Sequence, residues 1–146
     1  MSFYGEYEQT AKADGRYLLV NIVKEKGKNL MKHIYLNLKR FDVPVEFGGV
    51  NRLAPVADWA SCIVKNTQEE LKTYDPTEVE FGMYFPEVHL LNAVAAKTEG
   101  SPVQIGCQSV FRADTAVGGN FGAFTTNRPA SAMVAAGCET TIIGHC

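Results

Sequence analysis

The sequence predicts an α/β protein built on a parallel sheet. Three observations carry that expectation. Short apolar runs rich in β-branched and aromatic residues alternate with segments of helical spacing, breakers of the Gly-Ser-Pro type separate them, and the order is strand, helix, strand, helix, strand, helix, strand. Parallel strands need long crossover connections, and the alternation supplies them as βαβ units.

The first strand of the series is His33-Ile-Tyr-Leu-Asn-Leu-Lys39, followed by a Pro/Gly-rich connection through Pro55. Val56 to Leu71 has apolar residues at 56, 59, 60, 63 and 64, which is helical spacing, and Thr67-Gln-Glu-Glu70 gives it a polar end. Val79-Glu-Phe-Gly-Met-Tyr-Phe85 is the second strand. Pro86 stands at the first position of the next helix, where its missing N–H costs nothing. That helix runs to Lys97 and is expected to pack Val88, Leu91 and Ala95, with Leu90 beside them.

Gly100-Ser-Pro102 breaks the chain before the third strand, Val103-Gln-Ile-Gly-Cys-Gln108. A long loop follows, containing Gly118, Gly119 and Gly122. Arg128 to Ala136 reads as a short helix closed by Gly137 at its C′ position, and Thr140 to Gly144 is the fourth strand. Residues 1–30 do not follow this rhythm. Arg16 to Val23 suits a strand or a buried helical turn, and residues 1–30 are read as an N-terminal extension of unknown role.

Composition narrows the function classes. The 146 residues are 46% hydrophobic and 21% charged, enough for one ordinary soluble domain with a core. A net charge of −2 with interspersed signs lacks the basic face that nucleic acid requires. No apolar run reaches the roughly 20 residues of a membrane span, and the start has neither the basic nor the apolar region of a signal peptide. The expectation is a cytoplasmic protein with no nucleic-acid or membrane partner. Cys62, Cys107, Cys138 and Cys146 show no C-x-x-C spacing and the three histidines are scattered, so free thiols are expected and no metal.

Three polar residues stand at carboxyl ends of predicted strands: Asn37 and Lys39 on the first, His145 on the fourth. In a parallel sheet those ends face one side, where such folds place their chemistry. On spacing alone each also fits an ordinary solvated or hydrogen-bonded surface residue.

From Met31 to Cys146 the chain resembles the amino-terminal half of triosephosphate isomerase. Asn37-Leu-Lys39 matches the family's Asn-x-Lys on its first strand, and Gln108 the glutamine that ends its third. Gly122-Ala-Phe-Thr125 matches its third loop, and Ile143-Gly-His-Cys146 the end of its fourth strand. Four motifs in order make a specific signal. The differences mark a divergent branch: Leu36 and Leu38 flank Asn37 where the family usually has Gly and Trp, Thr126-Asn127 replaces Gly-Glu, and Cys146 replaces Ser. The connection from Phe41 to Pro55 is also longer than is usual.

The resemblance implies the first half, strands one to four, of a (β/α)8 TIM barrel over residues 31–146. It implies interconversion of dihydroxyacetone phosphate and glyceraldehyde 3-phosphate through an enediolate, in glycolysis and gluconeogenesis. His145 would polarise the substrate carbonyl as neutral imidazole. Lys39 would hold the phosphate end and balance the enediolate charge, and Asn37 would hydrogen-bond a substrate oxygen. No cofactor is implied. The glycine-rich loop would insert into a second subunit of a homodimer, with Phe121 and Phe124 as apolar anchors and Thr125 near the partner's active site.

The family's glutamate base, its lid and its phosphate-binding amides would lie on strands beyond Cys146. The chain as given is therefore expected to be truncated before the base and inactive alone. A second reading is a non-catalytic half-barrel that self-associates or binds a partner protein or small anion. It would have to cover an open sheet edge.

Overall fold

The computed structural model describes residues 19–21, 31–119 and 122–144. Phe121, His145, Cys146 and most of residues 1–30 lie outside the described residues. Five strands form one sheet in the order of the chain: β1 (Leu19–Asn21), β2 (Lys32–Asn37), β3 (Val79–Phe85), β4 (Val103–Cys107) and β5 (Thr140–Thr141). β2 to β5 run parallel, as the alternating pattern predicts, and form a curled half-barrel. β1 pairs antiparallel with β2 on the opposite edge.

Helices α1 (Trp59–Leu71), α2 (Leu90–Ala95) and α3 (Ala130–Ala135) connect the parallel strands. The core lies between these helices and one face of the sheet. Leu38, Met83, Phe85, Val103 and Ile105 from the sheet meet Trp59, Val64, Leu90, Ala93 and Met133 from the helices. Strand alternation puts His33, Tyr35, Asn37, Glu80, Tyr84 and Gln104 on the other face. Two glycines let that face pack closely. A Cβ on Gly82 would lie 2.8 Å from the Tyr35 ring, and one on Gly106 would lie 2.7 Å from the Tyr84 ring.

Several expectations need correction. Val88, Leu91 and Ala95 are exposed, and the buried stripe is Leu90, Ala93 and Ala96. The cause is a 3₁₀ turn, Glu87–His89, between Pro86 and α2. It winds with three residues per turn and so shifts the phase of the helix that follows. Pro86 caps this turn in an extended conformation and is not its first helical residue.

Gln68, assigned to a polar helix end, is buried. Its amide donates to the Ala96 carbonyl at 2.9 Å and its oxygen accepts from the Thr98 N–H at 3.0 Å, tying α1 to α2. The fourth parallel strand is shorter than Thr140 to Gly144. Ile142 still donates to the Cys107 carbonyl at 3.3 Å, but Ile143 is exposed and Gly144 turns left-handed at φ 80°.

A candidate active site at the carboxyl ends of the strands

Asn37 ends β2, and its register partner on β3 is Tyr84. One residue further, the Leu38 N–H still donates to the Tyr84 carbonyl at 3.0 Å, so the ladder holds the chain up to Lys39. There the backbone turns: Lys39 has φ 43°, a left-handed conformation uncommon for a residue with a Cβ. The turn is held by Asn37, whose side-chain oxygen accepts the Lys39 N–H at 2.9 Å. Gln108, immediately after β4, reaches across the ends of the strands. Its amide donates to the Asn37 side-chain oxygen at 3.1 Å and to the Lys39 carbonyl at 2.8 Å.

Asn37, Lys39 and Gln108 thus meet at one end of the sheet, while the expected convergence of Asn37 and Lys39 with His145 falls outside the described residues. Gln108, which the sequence offers only as the end of a strand motif, is the hub of the group. The polar side chain directly after a strand was the available signal. His145 lies outside the described residues. The described chain before it pairs with β4 at Gly106↔Thr140 and Cys107↔Thr141.

The connection after Lys39 is anchored by a buried pair that no local pattern in the chain announces. Asp42 and His89 are each only 2% exposed, and the His89 Nε2 to Asp42 Oδ2 distance is 2.9 Å. Arg40 donates to the same carboxylate oxygen at 2.8 Å, while Asp42 Oδ1 is buried without a hydrogen-bond partner. The Trp59 ring lies 5.2 Å from the His89 ring. Asn51 closes the connection, donating to the Asp42 and Ala54 carbonyls and accepting the Leu53 N–H. Lys39 is therefore presented by a braced loop, not a loose one.

Beside Gln108 an open cavity of about 320 Å³ is lined by Glu87, Ser109, Phe111, Asn127 and Arg128. The Arg128 guanidinium donates to the Ser109 hydroxyl across its floor. This cavity lies at the base of the glycine-rich loop. The Phe111 N–H donates to the Arg128 carbonyl at 2.8 Å and closes that base. Asp114 accepts the Ser131 N–H at 3.0 Å in the first turn of α3, and its bond from the Ser131 hydroxyl holds its carboxyl below the usual range. Phe124 packs against Phe111, ring centroids 6.0 Å apart, and Thr125 is exposed.

Cys62, Cys107 and Cys138 are free thiols. The Cys138 side chain hydrogen-bonds Cys107 and holds its thiol down to about 6 against the opposing effect of burial, while Cys138 is pushed up. Cys107 lies on the helix-covered face, away from the Asn37 group. Among the described residues no three His, Cys, Asp or Glu side chains cluster as a metal site. Among the described residues no helix is long and apolar enough to cross a membrane.

Comparison with protein families matches residues 57–146, more than half of the chain, to the family described as triosephosphate isomerase. The matched span holds Gln108, the glycine-rich loop and the β5 segment. β2, with Asn37 and Lys39, lies outside it. A search of curated proteins found no match.

Proposed function

Because this chain belongs to the triosephosphate isomerase family, we propose that it supplies four strands of an isomerase barrel acting on triose phosphates. The reaction is the interconversion of dihydroxyacetone phosphate and glyceraldehyde 3-phosphate. A base removes a proton from the carbon beside the carbonyl, an enediolate forms, and the proton returns to the adjacent carbon. Oxidation at one carbon balances reduction at its neighbour, so the chemistry calls for no redox partner.

One observation carries the reading. The Gln108 amide binds both the Asn37 side chain and the Lys39 backbone carbonyl, tying these two positions together at the carboxyl ends of the strands. Lys39 balances the enediolate charge and meets the phosphate end, since a fixed cation in a site shielded from water stabilises developing negative charge strongly. Asn37 hydrogen-bonds a substrate oxygen. His145 polarises the carbonyl as a neutral donor. The proton-abstracting carboxylate matches no motif in this chain, and the reading assigns it to the barrel's other strands. A homodimer joined through the glycine-rich loop, with Phe121, Phe124 and Thr125 at the contact, and a cytoplasmic setting belong to the same proposal.

The test is isomerisation of glyceraldehyde 3-phosphate by the native polypeptide purified from its source. Lys39→Met and His145→Gln should each lower kcat by about 10²–10⁴-fold, the range for groups acting on the reacting atoms. A full kcat in both variants, with only KM changed, would sink the catalytic reading.

A further inference from the structure

In a (β/α)8 barrel every strand has two parallel neighbours, because the sheet closes on itself. β2 has one such neighbour, β3. Its other edge, where the closing strand of the barrel pairs, is taken by β1 running antiparallel, with Leu19 opposite Tyr35, Val20 opposite Ile34 and Asn21 opposite His33. The hydrogen-bonding groups confirm the conflict. Lys32 N donates to the Glu78 carbonyl at 2.7 Å and Leu38 N to the Tyr84 carbonyl at 3.0 Å, so even-numbered residues of β2 point their N–H groups at β3. Alternation turns the N–H and C=O groups of His33 and Tyr35 to the other edge. Those are the groups that a barrel-closing strand needs, and they face Asn21 and Leu19.

The two arrangements exclude each other, since one edge accepts one strand. We propose that Leu19–Asn21 is an intrachain edge cap, and that barrel closure requires it to leave so that a parallel strand can pair with β2. The cap serves a physical need. An unpaired strand edge is a template for adventitious pairing, and covering it with a short segment of the same chain suppresses that. Among the described residues the cap pairs over three positions, and a longer strand displaces such a pairing at little cost. The inference rests on family membership and sheet topology, not on the catalytic reading, and catalysis is not a readout of its test.

The experiment compares the full chain with a Leu19→Pro/Asn21→Pro variant, which removes the two N–H groups facing β2. Val20→Thr, whose N–H faces away from β2, is the control. Hydrogen exchange at the His33 and Tyr35 amides is measured first. The proline variant should lose about tenfold or more of their protection while the Phe81 and Met83 amides of β3 keep theirs. Each protein is then titrated with a separate polypeptide comprising strands five to eight of a triosephosphate isomerase barrel. The proline variant should bind it about tenfold or more tightly than the parent, with Val20→Thr binding as the parent does. Unchanged exchange at His33 and Tyr35 would overturn the proposal. So would equal affinity of parent and proline variant, or no binding by either.

Discussion

At Lys39 the chain carries a side chain where the backbone favours glycine. Its φ of 43° is the only left-handed value at a non-glycine position among the described residues. That conformation costs an L-residue about 1–2 kcal/mol. Lys39→Gly should therefore raise the unfolding free energy by about 1 kcal/mol in urea denaturation, while removing the cation that the proposed chemistry needs. A variant less stable than the parent would mean that the Lys39 side chain contributes packing that outweighs the strain. Asn37 and Lys39 were legible as candidates because the i, i+2 spacing at a strand end is a local pattern. The Asp42–His89 pair was not legible. Its partners are 47 positions apart, one in an irregular connection and one in a 3₁₀ turn, and no periodicity links them.

The elements themselves were readable to within a few residues, because a strand buried on one face and a helix against it leave different apolar periods. β3 matches its predicted span, Val79–Phe85. The miss is the phase of α2, and it has a measurable consequence. Leu90 is fully buried against Trp59 and Phe85's cluster, and Leu91 is 68% exposed. Leu90→Ala should cost about 2–5 kcal/mol of stability, as for other buried leucines. Leu91→Ala should stay within about 0.5 kcal/mol of the parent. Chemical denaturation of the two variants separates the observed phase from the one read off the sequence, which packs Leu91 into the core. Nothing in the apolar pattern signals a 3₁₀ turn after a proline, so the error was built into the period argument.

For the whole molecule, the parallel order β2 to β5 followed from alternation, since consecutive βαβ units lay neighbouring strands side by side. The antiparallel β1 did not follow, because three residues carry too little pattern to separate a strand from a helical turn. The distribution of polarity across the sheet has a further consequence. One face is sealed by α1, α2 and α3 over an apolar core. The other bears His33 and Glu80 hydrogen-bonded at 2.9 Å, Tyr35 beside them with its hydroxyl pushed up by burial and by the Glu80 charge, and Gln104. Apolar burial lowers the heat capacity, whereas polar burial raises it. Calorimetric titration of the chain with a complementary half-barrel should therefore register a heat-capacity change per unit of buried area well below that of an apolar interface. Closure over this face would look, thermodynamically, more like the wetting and drying of a polar seam than like the collapse of a hydrophobic core.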